Sequence, residues 1–294
     1  MNIGLVGLGI MGKPMARNMM KAGHSIKVYD IVAEAVDEIV AAGAVRGKSV
    51  ADVGASCDVV ITMLPNSPHV KTVVLGEGGL SSSMKSGGTV IDMSSIDPTV
   101  SKEVAAALDK VGIEHLDAPV SGGEPKAIDG TLSIMVGGKK EVFDKFKALL
   151  ETMGTSVVHC GEIGAGNTTK LSNQIVVALN IAALSEALML AKMADVDPEV
   201  VFNAIRGGLA GSTVMEAKAP MMLAGDFKPG FRIDLHIKDL ENALATGHGL
   251  GVPLPLTASV MEILINLRKD GCGSDDHSAI AKYYQKLAGM TIGD

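Results

Sequence analysis

The stretch "NIGLVGLGIMGKPMARNMM", residues 2–20, decides how the N-terminal half of the chain folds. An apolar run that predicts a β-strand leads into three glycines, and a helical pattern follows them. In this context Gly7 permits a tight turn, Gly9 lets the backbone approach a pyrophosphate, and Gly12 lets helix and strand pack closely. The helix N-terminus would stabilise the anion. The pattern predicts a dinucleotide site, and a plain strand–helix turn is the alternative interpretation.

The next predicted strand, "SIKVYD" (25–30), ends in an acid at the separation expected for a contact with the adenosine ribose. A carboxylate at Asp30 would repel a 2′-phosphate, and the following Ile31 and Val32 provide no arginine to bind one. NAD(H) is therefore favoured, with NADP(H) as the alternative. The residues expected to contact the dinucleotide are Gly7, Leu8, Gly9, Ile10, Met11, Gly12 and Asp30.

Strands and helices alternate through the rest of the first half. Further strands are predicted at 57–64, 87–94, 113–120, 131–138 and 156–161, and helices near 33–42, 67–75, 97–111 and 139–152. This alternation indicates parallel β-α-β units, and the Val/Ile-rich strands suit a sheet that is covered on both faces. The predicted fold class is α/β, with a Rossmann-type doubly wound sheet.

After residue 161 only helical periodicity is visible, so we place a domain boundary there. Residues 1–162 are predicted to form the dinucleotide-binding domain and residues 163–294 an all-α domain. A helix that is apolar nearly all round begins near Asn167, which we expect to be its N-cap.

Composition excludes several classes of protein. The 294 residues carry a formal charge of −7, and no basic cluster is present, so neither nucleic acid nor an anionic membrane is an expected partner. The three cysteines are far apart and form no metal-binding pattern, so no metal is expected. The N-terminus lacks the features of a signal peptide, and the apolar run from 175 is shorter than a membrane span needs, so we expect a cytoplasmic protein.

The segment "DAPVSGGEPKAIDGTLSIMVGG" (117–138) begins as a strand and stops at Ser121, Gly122 and Gly123. In an open parallel sheet ligands bind beyond the carboxyl ends of the strands. A hydroxyl and closely approachable backbone N–H groups could hold a carboxylate there. The alternative is that the two glycines only turn the chain.

Lys170 opens the apolar helix, where its charge would oppose the helix dipole. Dipole and partial burial both disfavour the ammonium form, which would lower its pKa towards the range of a general acid. Asn173 and Gln174 follow at spacings that place one or both on the same face. A lysine reaching solvent at the domain surface is the alternative.

Lys238, in "FRIDLHIKDLENAL" (231–244), is a second lysine whose charge would oppose a helix dipole. If Asp234 caps that helix, Lys238 lies in an early turn, with Asp239 beside it as a partner or as an ordinary first-turn acid. The nearby His236 is expected to be a capped or solvated imidazole, and a contact with the substrate is the alternative.

Together these motifs resemble the β-hydroxyacid dehydrogenase family over the whole chain. The matching stretches are "GLGIMGKPMARNMMKAGH", "DAPVSGGEPKAIDGTLSIMVGG", "GAGNTTKLSNQ" and "KDLENAL". The resemblance implies a Rossmann domain, a long interdomain helix, an all-helical second domain and a homodimer or homotetramer. It implies Lys170 as the catalytic acid/base, a substrate carboxylate at Ser121, Gly122 and Gly123, cofactor contacts at Leu64, Pro65, Ser95 and Lys238, and Asp239 near the substrate.

The chain departs from the family at one position, because Gln174 stands where most members have asparagine, with Asn173 before it. Which of the two amides binds substrate is left open.

The residues and the resemblance together imply reversible hydride transfer between a nicotinamide and the aldehyde carbon of a short 3-oxo acid. Tartronate semialdehyde, which would be reduced to D-glycerate, is the expected substrate, with the aldehydes of 3-hydroxyisobutyrate and of a 2-(hydroxymethyl) dicarboxylate as alternatives. Oxidative decarboxylation and imine reduction are disfavoured. An inactive scaffold of the same fold is the alternative of another class, and the presence of Lys170 and the acidic charge argue against it.

Overall fold

The computed structural model describes residues 1–293 and contains two compact units. The first comprises Met1–Lys170 and the second begins at Leu171. One continuous helix, α9 (Ala165–Met193), runs from the first unit into the second. The division thus falls eight residues after the predicted boundary at 162, because the first turns of α9 pack with the sheet.

The first unit is built on a sheet whose first six strands are parallel, in the order β3-β2-β1-β4-β5-β6. These strands are β1 (Ile3–Val6), β2 (Ile26–Tyr29), β3 (Val45–Arg46), β4 (Val59–Thr62), β5 (Thr89–Asp92) and β6 (Glu114–Asp117). The predicted doubly wound α/β fold is confirmed, and the carboxyl ends of β1, β4, β5 and β6 lie along one edge, where ligands bind in such sheets.

The last part of the sheet is mixed. β8 (Leu132–Gly137) runs antiparallel to β6 and to the short β7 (Val120–Ser121), and β9 (Gly154–Gly161) is parallel to β8. The single strand predicted over 113–120 is therefore wrong: β6 ends at Asp117 and β7 starts at Val120. Pro119 lies between them and has no N–H to donate to a ladder.

Helices cover both faces of this sheet. They are α1 (Gly12–Lys21), α2 (Ala33–Ala41), α3 (Val50–Ser56), α4 (Ser67–Leu75), α5 (Leu80–Ser83), α6 (Pro98–Asp109), α7 (Gly123–Asp129) and α8 (Lys140–Leu150). Two apolar clusters fill the two sides, one around Leu5 and Ile61 and the other around Val60 and Val90. Successive residues of a strand thus point into different clusters, as expected for a strand buried on both faces.

The described part of the second unit, residues 171–293, contains helices and a single isolated bridge between Arg232 and Asp276. Besides α9 the α-helices are α10 (Pro198–Ile205), α11 (Thr213–Ala224), α12 (Ile233–Gly249), α13 (Pro255–Leu267) and α14 (Ile280–Ala288), and two short helical turns of other types cover Arg268–Cys272 and His277–Ala279. One apolar cluster of aliphatic and methionine side chains forms its core. The all-α prediction is confirmed.

The prediction that the apolar run is too short for a membrane span is wrong for length. α9 has 29 residues and is long and apolar enough to cross a bilayer, but half of its most apolar window is buried inside the protein. Partial burial of this kind is typical of the core helix of a globular protein, so the length alone is weak evidence for a membrane.

Candidate active site

The turn between β1 and α1 is so tight that two of its glycines cannot carry a side chain. A Cβ on Gly7, whose φ is +101°, would lie 2.2 Å from the carbonyl oxygen of Met63, and a Cβ on Gly12 would lie 2.0 Å from that of Gly7. A Cβ on Gly9 would meet no atom of residues 1–293 within 4 Å. Internal packing therefore accounts for Gly7 and Gly12, and the open space at Gly9 fits the close approach of a pyrophosphate.

Asp30 holds this turn in place through backbone hydrogen bonds. Its Oδ2 accepts the N–H of Leu8 at 2.6 Å and its Oδ1 accepts the N–H of Val32 at 2.8 Å. A cavity of about 360 Å³ opens beside it, lined in part by Gly9, the exposed Ile10 and Glu124. This volume lies in the range of ligand pockets, and the side chains present suit an adenosine group.

The carboxyl ends of β4 and β5 carry the predicted cofactor contacts Leu64, Pro65 and Ser95. The Leu64 N–H donates to Ser94 Oγ at 2.8 Å, and the Ser94 N–H donates to Asp92 Oδ1 at 3.1 Å. Asp92 is fully buried. The loops after these two strands are thus tied to one another at the edge where the dinucleotide turn also lies.

Ser121, Gly122 and Gly123 lie at the junction of β7 and α7. The φ angles of Gly122 and Gly123 are +135° and +69°, which β-branched or bulky residues do not readily adopt. Ser121 is half-buried, and Gly122 is exposed. A hydroxyl next to two glycines in this conformation can offer O–H and N–H donors to an anion.

The start of α9 corrects the sequence-based interpretation. The helix begins at Ala165, so Asn167 is inside it and is not the N-cap. The Asn167 side chain is buried; its Oδ1 accepts the Ile96 N–H at 3.0 Å and its Nδ2 donates to Ser101 Oγ at 3.1 Å. Lys170 consequently lies in the second turn, where the helix dipole is weaker than predicted. Its burial, at 5% exposure, remains.

Asp117, at the end of β6, is a buried acid to which the sequence had assigned no role. Its Oδ1 accepts the N–H of Gly164, and its Oδ2 accepts the N–H of Asn167, both at 2.7 Å. Burial raises the pKa of Asp117 to about 7, against the two N–H groups, and the neighbouring Asp92 carboxylate adds to the increase. Its place four residues before the predicted Ser-Gly-Gly turn was the only available signal in the sequence.

In the second unit four polar side chains form a chain of contacts. Asn173 Nδ2 donates to Gln174 Oε1 at 2.8 Å, and Gln174 Nε2 donates to Asp239 Oδ2 at 2.6 Å. Lys238 Nζ forms an ion pair with Asp239 Oδ1 at 3.0 Å. The structure thus brings together four of the predicted site residues and fixes the orientation of the Gln174 amide.

A pair of buried histidines lies beside these residues. His236 is fully buried, so the prediction of a solvated imidazole is wrong; its Nε2 is 3.2 Å from the Gln174 carbonyl oxygen and its Nδ1 is 3.0 Å from His277 Nδ1. A carbonyl only accepts, so His236 Nε2 carries hydrogen and Nδ1 accepts from His277. The predicted N-cap Asp234 is also wrong, because α12 begins at Ile233 with Arg232 before it.

Asp276, next to this pair, anchors a loop. Its carboxylate accepts the N–H groups of Gly230 and Phe231 at 3.0 Å and forms an ion pair with Lys218 at 2.9 Å. Burial opposes its ionisation, but the charges of His277 and Lys218 lower its pKa to about 2. Among residues 1–293, no three His, Cys, Asp or Glu side chains are grouped as metal ligands.

Comparison with known proteins gives matches over both units. Residues 2–161 match the NAD binding domain of 6-phosphogluconate dehydrogenase. Residues 164–284 match a domain described as NAD-binding of NADP-dependent 3-hydroxyisobutyrate dehydrogenase. Each match covers nearly the whole of one predicted domain.

Similar proteins align over the full length. 2-Hydroxy-3-oxopropionate reductase of Escherichia coli K12 is 42% identical over 288 residues, 98% of each chain. 2-(Hydroxymethyl)glutarate dehydrogenase of Eubacterium barkeri is 39% identical over 291 residues, 99% of this chain and 97% of its own. The structure of Mycobacterium tuberculosis 3-hydroxyisobutyrate dehydrogenase with L-serine has a TM-score of 0.90 at 32% identity, covering 96% of this chain and 98% of that one.

Proposed function

The chain belongs to the 3-hydroxyisobutyrate dehydrogenase family of β-hydroxyacid dehydrogenases, and from that premise we propose that it reversibly reduces tartronate semialdehyde (2-hydroxy-3-oxopropanoate) to D-glycerate with NADH. Membership confirms the resemblance predicted from the motifs. The protein is thus an NAD(P)-dependent oxidoreductase of small hydroxy acids. The particular aldehyde is the part that we propose.

The observation that carries the catalytic assignment is the burial of Lys170 in a unit that also contains a dinucleotide turn. When bound, NADH supplies a hydride to the aldehyde carbon. We propose that the Lys170 ammonium donates a proton to the aldehyde oxygen, so that hydride and proton together convert the carbonyl to an alcohol. Lys170 is left neutral and recovers its proton from water.

For the substrate carboxylate, we propose binding by the Ser121 hydroxyl and the N–H groups of Gly122 and Gly123. Their glycine-permitted conformation supports this role, since it exposes backbone donors without side chains in front of them. Holding the carboxylate there would orient the aldehyde, and orientation of this kind can account for most of the rate.

Of the two amides left open by the sequence, we propose Gln174 as the one that contacts a substrate oxygen. It lies four residues after Lys170, on the same face of α9, and is buried, whereas Asn173 is half-buried and donates to Gln174. Asp239 would then act by holding the Gln174 amide and the Lys238 ammonium.

The choice of tartronate semialdehyde is supported by similarity to the E. coli reductase and by three stretches that resemble the same branch of the family. These stretches are "TMLPNSPHVK" (62–71), "IRGGLAGSTVMEAKAPMM" (205–222) and "FKPGFRIDLHIKDL" (227–240). The second candidate is 2-(hydroxymethyl)glutarate, because of the similarity to the E. barkeri enzyme. 3-Hydroxyisobutyrate is the third.

The proposed preference for NADH depends on Asp30. Both of its oxygens already accept backbone N–H groups, which holds the carboxylate beside the adenosine cavity. A 2′-phosphate would bring its negative charge against this carboxylate, and the exposed Ile31 cannot neutralise it.

The test is a NADH-oxidation assay with tartronate semialdehyde, methylmalonate semialdehyde and 2-formylglutarate. We expect kcat/KM to be highest for tartronate semialdehyde, by about tenfold or more, since one hydrogen bond to its 2-hydroxyl, at about 1.4 kcal/mol, corresponds to that factor. A higher value for either other aldehyde would reassign the substrate. The same assay with NADPH tests the cofactor preference, and equal efficiency with both dinucleotides would refute the role of Asp30.

We also propose a cytoplasmic homo-oligomer. The second unit exposes Val176, Leu190 and Met193 on α9 and Val200 on α10, each with more than half of its surface accessible, and a second copy could cover them. Light scattering on the eluting protein should give a mass of two or four chains. A mass near 30.3 kDa would exclude the oligomer.

A further inference from the structure

The start of α9 is held by one buried carboxylate. A helix leaves its first N–H groups without partners in the helix itself, and those at Gly164 and Asn167 donate to the two oxygens of Asp117. Charge-assisted bonds of this kind are stronger than neutral ones. Asp117 is far away in sequence, so this cap ties the helix to the end of β6.

The first turn of α9 is closely packed against the sheet. A Cβ on Gly166 would lie 2.4 Å from the carbonyl oxygens of Asp117 and of Met135 on β8, so the helix backbone touches two strands directly. The Asn167 side chain adds bonds to Ile96 and to Ser101 of α6. The first turn of α9 therefore has one position relative to the sheet.

Two residues with proposed roles depend on this position. Lys170 follows Gly166 by one helical turn, so wherever the first turn lies, the Lys170 Cα is carried with it. Ser121 follows Asp117 by four residues in the same segment, across the β6–β7 junction. The Asp117 carboxylate thus connects the helix that carries Lys170 to the strand that leads into the turn proposed to bind the substrate carboxylate.

We propose that Asp117 is a positioning residue of the reaction, whose two carboxylate oxygens set the start of α9 and thereby fix Lys170 relative to Ser121, Gly122 and Gly123. The inference rests on the proposed roles of those four residues. Asp117 acts through the backbone of α9, and the predicted roles of substrate and cofactor contact belong to other residues.

The chemistry of the side chain supports this role. Two N–H donors at 2.7 Å require two acceptors, which a carboxylate has, whereas an asparagine of the same shape would turn one N–H group towards another. Burial and the adjacent Asp92 both make the charged form costly, as the raised pKa shows. A buried carboxylate that lowers the stability of the folded protein is better explained by a role in positioning α9 than by a role in stability.

The experiment compares Asp117→Asn with Asp197→Asn in the full-length protein. Asp197 is the control because its Oδ1 caps α10, accepting the Glu199 N–H at 2.9 Å, and that helix carries none of the predicted site residues. For each variant, kcat and both KM values are measured with the aldehyde and NADH, together with hydrogen exchange of the peptide covering residues 163–172.

We expect Asp117→Asn to lower kcat by about 10- to 100-fold, because a displacement near 1 Å costs about that much. The KM for NADH should stay within about twofold, and exchange at 163–172 should become faster. Asp197→Asn should leave kcat within about twofold. Faster exchange with unchanged kcat would overturn the inference, and so would a parallel loss of NADH binding, which would indicate a general structural role.

If Asp117→Asn is insoluble, Asp117→Ser is measured in its place, because the smaller side chain leaves room for a water molecule at the two N–H groups. Full kcat in either variant, or failure of both to fold, overturns the inference. Failure of the proposed function is seen separately, in the wild-type protein with the aldehyde panel. The variant-to-wild-type ratio can be taken with any hydroxy acid or aldehyde that the wild type converts.

Discussion

The candidate site residues of the two units hold their polar groups in different ways. In the first unit, Asp30 accepts the N–H groups of Leu8 and Val32, and Asp117 accepts those of Gly164 and Asn167. In the second unit, the predicted site residues contact one another through their side chains, from Asn173 through Gln174 to Asp239, whereas Asp276, which is outside this set, accepts backbone N–H groups.

The difference shows what each kind of site requires. A site made of backbone groups needs glycines and a fixed turn, and such requirements leave a local pattern in the sequence. A site made of side-chain pairs needs residues from separate helices at hydrogen-bond distance, and no local pattern encodes that. We therefore expect substitutions in the two units to fail differently.

The largest expected effect concerns Lys170. Lys170→Ala should lower kcat by about 10²–10⁴-fold, the usual value of general acid catalysis, while NADH affinity stays within about twofold. Lys192→Ala, near the other end of the same helix, is the control and should keep full activity. Steady-state kinetics give kcat, and titration gives the affinity for NADH. A kcat of Lys170→Ala within a few-fold of wild type would contradict the assignment of Lys170 as the general acid.

The next effect separates two glycines of the backbone-built turn. Gly12→Ala should lower both the melting temperature and NADH affinity, because its Cβ would lie 2.0 Å from the Gly7 carbonyl oxygen. Gly9→Ala should keep the melting temperature and weaken NADH binding by about tenfold, since its Cβ would occupy the space for the pyrophosphate. Thermal melts and NADH titration give both values, and wild-type affinity in Gly9→Ala would show that no phosphate passes there.

A smaller effect is expected from the side-chain network. Asp239→Ala leaves Gln174 Nε2 without its partner at 2.6 Å, and kcat/KM for the aldehyde should fall about tenfold, as for loss of one buried hydrogen bond. The control is Asp234→Ala, an exposed acid on the same helix, which should have no effect. Equal kcat/KM values for the two variants would mean that the network does not orient a substrate-binding group.

The smallest effect is on stability in the first unit. His115 is buried and neutral, and burial lowers its pKa from 6.5 to about 4. The stability that neutral His115 contributes to the folded protein is therefore complete above pH 6.5. It is lost as the pH falls towards 4, because the unfolded chain binds a proton at this residue in that range and the folded protein does not. The variant His115→Asn keeps a donor for the Val90 carbonyl but does not titrate in this range. The melting temperature of the variant minus that of wild type should therefore be about 3–5 °C larger at pH 5.5 than at pH 7.5.

The contribution of Asp117 to stability depends on pH in the opposite direction. Its raised pKa means that its unfavourable contribution is absent below about pH 4 and grows until about pH 7. Because it is present in both proteins, it cancels in the comparison of His115→Asn with wild type. Equal pH dependence of the two melting temperatures would show that His115 does not titrate between the folded and unfolded states.

The fold class, the dinucleotide turn and the all-α second unit could be predicted from the residues alone, because each is encoded by local periodicity or by glycines that close contacts require. α4 (Ser67–Leu75) coincides with its predicted range, and Gly7 and Gly12 have the close contacts that their motif implies. The Ser121–Gly123 turn was also visible, since its positive φ angles require glycine.

The pairing of the buried polar groups could not be predicted in this way and is seen in the folded chain. The true start of α9, the cap from Asp117, the His236–His277 pair and the Gln174–Asp239 bond all join residues at least 40 positions apart. Such contacts form when packing brings distant segments within hydrogen-bond range, and burial then makes an unpaired polar group costly. Periodicity reports the direction in which a side chain points along its own element, and the partner that it meets is set by the fold.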